Sequence, residues 1–81
     1  MDKSQLLERV IELVVDITGE DEVGEELDID LFEEEILDSM AAIELLLAIE
    51  DAFGVSIAPT ELEREEMNTI NKIVARIAER L

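Results

Sequence analysis

Asp38-Ser39 is the point in this sequence where reactive side-chain chemistry and a helix start coincide. A hydroxyl in the first turn of a helix is exposed and sits near free backbone N–H groups and the positive end of the helix dipole. That setting suits a covalently attached phosphate. The pair also has an ordinary reading, because Asp and Ser are common capping residues. The two readings are compatible, with Asp38 capping and Ser39 modified. Other chemistry is narrowed by absences. The chain contains no Cys and no His, which removes disulfides, thiolate nucleophiles, imidazole bases and Cys/His zinc sites. Asp28-Ile29-Asp30 begins like a calcium loop, but Glu33 stands where that loop needs Gly and Ser39 where it needs a bidentate Glu. Glu33, Glu34, Glu35 and Asp38 could hold a divalent cation loosely; such a run is more often a solvated face. A carboxylate hydrolase needs two acids facing a cleft, and one Pro and three Gly provide little loop from which to build it.

The elements that must position Ser39 are readable from periodicity. Leu6, Leu7, Val10, Ile11, Leu13, Val14 and Ile17 mark one face of a helix over residues 4–18, capped by Asp2 or Ser4 and ended by Gly19. From Gly19 to Leu37 the period is lost among many acids, yet Val23, Leu27, Ile29, Leu31, Phe32, Ile36 and Leu37 are too apolar for a free linker. A long loop pinned to the core is expected, with Asp30 capping a single turn through Glu33 or Glu34. A second helix is expected over Ser39–Phe53, capped by Asp38 and stopped by Gly54. Ala42, Leu45, Leu46, Ile49 and Phe53 form its core stripe, while Met40 and Leu47 project to the other side beside Glu44 and Asp51. That second apolar face either meets a partner or fills space beneath the acidic loop. Val55-Ser56-Ile57 reads as a buried loop, since a lone strand has no mate. Thr60 and Glu63 have capping-box spacing for a short helix reaching about Glu65. Asn68 or Thr69 caps a last helix, with Ile70, Ile73, Val74, Ile77, Ala78 and Leu81 on one face. The fold class is therefore all-α: a four-helix bundle, three helices long and one short, with a long first loop.

Composition bounds the function. With 81 residues, 48% of them apolar, a single domain spanning 1–81 is expected. The formal charge is −17, and between Arg9 and Arg64 there are 18 carboxylates and no cation. Nucleic acid and anionic lipid are excluded as favoured partners, because both need clustered Lys and Arg. A protein with a basic docking patch is favoured instead. No apolar run approaches the roughly 20 residues that span a bilayer, and Met1-Asp2-Lys3-Ser4 opens no export segment. A cytoplasmic monomer is expected.

Leu37-Asp38-Ser39-Met40, followed by Ile43-Glu44-Leu45-Leu46-Leu47-Ala48-Ile49-Glu50 and Phe53, resembles the modification segment of acyl and peptidyl carrier proteins. In those families the Ser of such a motif carries phosphopantetheine, and their four-helix fold, long first loop and acidic balance match the whole chain. The strings Phe32-Glu33-Glu34-Glu35-Ile36-Leu37-Asp38-Ser39 and Glu65-Glu66-Met67-Asn68-Thr69 are most similar to D-alanyl carrier proteins, although Met67 and Ile70 stand where an aromatic and Pro are usual. The resemblance implies that Ser39 receives the arm from coenzyme A through a phosphopantetheinyl transferase. It further implies loading by a D-alanine-activating ligase and delivery to a membrane-associated acceptor enzyme for teichoic acid D-alanylation, the domain itself being no enzyme. Asp38, Met40, Glu44, Leu47 and Asp51 are the expected recognition residues. A carrier for fatty-acid, polyketide or other aminoacyl pathways is the alternative within the family. An acidic interaction module with no covalent cofactor is the alternative outside it.

Overall fold

The structure is a computed structural model that describes residues 2–58, 60–61 and 63–81. Three α-helices are present among them: α1, Lys3–Thr18; α2, Ser39–Phe53; and α3, Ile70–Ala78. Both α2 and α3 pack on α1. Leu6, Val10 and Val14 of α1, Leu45, Leu46 and Ile49 of α2, and Ile70, Ile73, Val74 and Ile77 of α3 share one core. No strand occurs among the described residues.

The helix limits follow from local chemistry. Asp2 caps α1 by accepting from the Gln5 N–H at 2.8 Å, and the Gln5 side chain accepts in return from the Asp2 N–H at 3.4 Å. Gly19 and Gly54 end α1 and α2 at φ values of 74° and 70°, a left-handed conformation that glycine adopts without steric cost. Asp38 caps α2, and of the two expected caps for α3 it is Thr69 that accepts, from the Lys72 N–H at 3.1 Å.

The acidic first loop is pinned, as its apolar residues require. Val23, within a 3₁₀ turn at Asp21–Gly24, and Leu31 are fully buried and Leu37 nearly so. Leu31 donates its N–H to the Asn68 carbonyl at 2.7 Å, and its own carbonyl accepts from the N–H groups of Ile36 and Leu37 at 2.9 and 3.0 Å. Asp30 Oδ1 accepts from the N–H groups of Phe32 and Glu33, both at 3.0 Å, which is the expected capped turn. The loop also serves α3. Its Leu27 carbonyl accepts from the Asn71 N–H at 3.1 Å, satisfying a donor that a helix start leaves without an internal partner.

Two expectations need correction. The short helix predicted from Thr60 to about Glu65 is absent from the described part of that span; Leu62 lies outside the described residues. Instead Thr60 and Glu61 lie in a turn in which Glu61 accepts from the Ala58 N–H at 2.8 Å. The short element is one 3₁₀ turn, Arg64–Glu66, whose Glu66 carboxylate accepts from the Glu63 N–H at 3.2 Å. Capping therefore operates from Glu63 to Glu66, three residues later than the Thr60–Glu63 spacing implies. Leu81, expected on the apolar face of the last helix, lies beyond its end and is 60% exposed. Val55 and Ile57 are buried around an exposed Ser56, as expected of a buried loop.

Glu35 has φ 59°, the one non-glycine residue with positive φ among those described. A side chain in the left-handed region costs on the order of 1 kcal/mol, offset in part when Gly replaces it by the freer unfolded chain. Glu35→Gly is expected to stabilise by about 0.5 kcal/mol and Glu35→Val to destabilise by at least as much. Glu35→Gln, which removes the charge and keeps the strain, should recover little. Urea denaturation of the three variants checks this, and a less stable glycine variant would refute it.

Candidate functional site

Ser39 opens α2, exposed, immediately after Asp38 turns the chain into the helix. Asp38 is extended, with φ −117° and ψ −177°, and its Oδ1 accepts from the Ala41 N–H at 2.8 Å. The cap engages the aspartate carboxylate and leaves the serine hydroxyl outside the helix's own bonding. That hydroxyl faces a groove of about 210 Å³ lined by Phe32, Ala42, Ile43, Leu46, Arg64 and Met67. One wall comes from the acidic loop, one from α2 and one from the 3₁₀ turn before α3.

Arg64 joins these walls. Its Nη2 donates to Ser39 Oγ at 3.3 Å, and its guanidinium carbon lies 4.8 Å from the centroid of the Phe32 ring. This residue is absent from the set read from the sequence. The available signal was its position as the first cation after the 18 carboxylates that follow Arg9.

The other sequence-derived residues lie on the outward face of α2. Met40, Glu44, Leu47 and Asp51 follow an i, i+4, i+7, i+11 track and are all exposed. Met40 is 72% and Leu47 62% exposed, so filling beneath the acidic loop is not their role. Ile43, 47% exposed, extends the apolar track toward the groove and lies outside the expected recognition set. Glu33, Glu34, Glu35 and Asp38 do not converge: no group of three or more acids that could hold a metal ion occurs among the described residues. No helix among those residues is long and apolar enough to cross a membrane.

An exposed serine oxygen beside a guanidinium and an apolar groove can accept a phosphate-linked group without displacing core. The family model described as phosphopantetheine attachment site matches residues 8–77. Fold and site thus define a carrier domain for a phosphopantetheine arm, and such a carrier is no enzyme. A D-alanyl carrier protein of Lactococcus lactis subsp. cremoris is 51% identical over 73 residues, covering 90% of this chain and 92% of its own. Those of Bacillus velezensis and Lacticaseibacillus rhamnosus are each 43% identical, covering 89% and 84% of this chain and 92% and 84% of their own. The chain belongs to the D-alanyl carrier proteins.

The loop that holds the site has two carboxylates with displaced titrations. Asp30 is held below its ordinary 3.8, first by the Glu33 N–H and then by the Asn68 amide, the Phe32 N–H and the charge of Lys72, against some desolvation. Glu20 is pushed above its ordinary 4.5, chiefly by its hydrogen bond with Glu22 and by the charge of that neighbour, with desolvation and Asp21 adding. The folded state favours protonated Glu20, so that contribution is present below 4.5 and is lost as pH rises through the raised value. It favours ionised Asp30, so that contribution is present above 3.8 and is lost as pH falls through the lowered value. Through these two groups Tm is therefore expected to rise as pH is lowered through the raised Glu20 value toward 4.5 and to fall once pH passes below 3.8. In Asp30→Asn the acid fall should be shallower. A wild-type Tm that drops steadily from neutrality downward would contradict this.

Proposed function

We propose that Ser39 carries phosphopantetheine and that the domain presents D-alanine as a thioester to the machinery that D-alanylates teichoic acids. The observation that carries this reading is the exposed Ser39 hydroxyl at the start of α2, in a chain matched from residue 8 to residue 77 by the attachment-site family. In the attachment step Ser39 Oγ loses its proton to a base on the transferase and bonds to the pantetheine-side phosphorus of coenzyme A. The pyrophosphate bond breaks and the adenosine bisphosphate leaves. The arm, when bound, supplies a terminal thiol that accepts the aminoacyl group from an adenylate. This chain's part is to fix the point of attachment through the Asp38 cap and to offer a surface that partners can read.

Recognition by the transferase, the D-alanine-activating ligase and a membrane-associated acceptor is assigned to the beginning and outer face of α2. Asp38 orients the transferase, Met40 and Leu47 enter apolar hollows, and Glu44 and Asp51 meet basic residues at the rim. Apolar anchors usually carry the affinity of such contacts while rim charges govern association rate. The exposure of Met40 and Leu47 supports this over an internal packing role.

Incubation with coenzyme A and a broad-specificity phosphopantetheinyl transferase should add the mass of one arm to wild type and none to Ser39→Ala. An unchanged wild-type mass, under conditions that modify a control carrier, would overturn the assignment. On the ligase, Met40→Ala is expected to raise Kd about tenfold. Asp51→Asn should change it less than about threefold and flatten the salt dependence of association. Unchanged Kd and kinetics in both variants would move the docking face elsewhere.

A further inference from the structure

We propose that Arg64 is an anion clamp that binds the phosphodiester formed at Ser39, with Phe32 holding the guanidinium in place. The inference rests on the assignment of Ser39 as the attachment residue. Three observations carry it. The guanidinium already approaches the oxygen to which phosphorus would be joined, with Nη2 at 3.3 Å from Ser39 Oγ. That contact is long for an N–H···O bond and occupies one of the five N–H donors of an arginine. The group is also pre-positioned, lying 4.8 Å over the Phe32 ring, which is half-buried and fixed by the turn that Asp30 caps.

The strongest indication is what Arg64 lacks. Among the described residues Arg9, Arg76 and Arg80 each lie within 4 Å of a carboxylate, and Arg64 does not. No carboxylate lies within 4 Å of it among the described residues, in a chain with 23 acidic side chains. An arginine stacked on an aromatic ring and left with free N–H groups matches the planar, bidentate recognition of a phosphate. The need for such a group is electrostatic. Glu35 and Asp38 border the same depression as Ser39 and Arg64, so a new negative charge at Ser39 is repelled by the acids that share it. Arg64 is the cation that lines both this depression and the groove.

The consequence is an arm tethered at its phosphate end, leaving the more distant pantetheine free to reach a partner. Apo and holo forms of wild type, Arg64→Gln, Arg64→Lys and Phe32→Leu, each confirmed by intact mass, provide the test. The quantity read is the difference in Tm between holo and apo. Modification should raise Tm in wild type and lower it in Arg64→Gln, the two differences separated by about 3 °C or more at low ionic strength. The separation should shrink in about 1 M salt. Arg64→Lys should lie between them, because an ammonium keeps the charge and loses the fork and the stack, and Phe32→Leu should shift toward Arg64→Gln. The ³¹P resonance of the attached phosphodiester should differ between holo wild type and holo Arg64→Gln in the same salt-dependent way. Equal holo-minus-apo differences and coincident ³¹P shifts in fully modified proteins would overturn the clamp while leaving the attachment at Ser39 standing. Failure of wild type to gain the arm would overturn the attachment assignment and the clamp with it.

Discussion

The backbone at Leu31 is the constraint on which the placement of the site depends. Its side chain is fully buried, its N–H is bonded to the Asn68 carbonyl just before α3, and its carbonyl collects the N–H groups of Ile36 and Leu37. One residue thereby ties the acidic loop to the far helix and bends the chain back toward the start of α2. Asn68 reinforces the tie by donating to Asp30 Oδ2 at 2.8 Å, and Asn71 does the same to Asp28 at 2.8 Å. Without this stitch, nothing local would bring Phe32 and Arg64 to the same side of Ser39. A serine hydroxyl on a free loop would be equally exposed but would have neither groove nor guanidinium beside it.

Folding so acidic a chain requires its carboxylates to act individually. Asp2, Asp30, Asp38, Glu61 and Glu66 each accept a backbone N–H. They turn a repulsive composition into caps and turns that satisfy donors no helix can satisfy internally. The remaining acids lie mainly at the surface, where water screens them and long-range repulsion is modest at physiological ionic strength. The cations divide in a similar way. Arg76 bridges Glu66 and Glu79 at 3.6 and 3.0 Å, and Lys72 donates to the Glu65 carbonyl at 2.9 Å, so both hold the 3₁₀ turn against α3. That turn is what carries Arg64.

What could be read from the sequence was what local signals determine. The limits of α2 were legible because Asp38 starts the helix and Gly54 stops it around an unbroken apolar period. The buried status of Leu31 and Leu37 was legible as a class, since large apolar side chains in an acidic segment must be covered. Thr60–Glu63 misled because Glu63 and Glu66 next door have the same spacing, and the choice between the overlapping pairs is made by the anchoring of Glu65 and Glu66 to Lys72 and Arg76 of α3. Arg64 was missed for a related reason. Its partner Ser39 lies 25 residues away, and no period or motif in one chain announces a contact across that distance.

The two faces of α2 explain how a chain without a nucleophilic thiol or an imidazole participates in acyl transfer. Leu45, Leu46 and Ile49 are buried in the core that α2 shares with α1 and α3, so the helix is fixed in the bundle and its first residue is fixed with it. Met40, Ile43 and Leu47 remain outside, on the helix that Ser39 opens, with Glu44 between the last two. Such a face would be a liability on an ordinary small protein, since exposed apolar side chains invite association. Here Glu44, Glu50 and Asp51, all exposed on the same helix, oppose self-pairing, because two copies would bring like charges together. They favour instead a surface carrying positive charge around an apolar hollow. On the recognition proposed above, the charge selects the partner, and the apolar track holds it for chemistry that the partner performs.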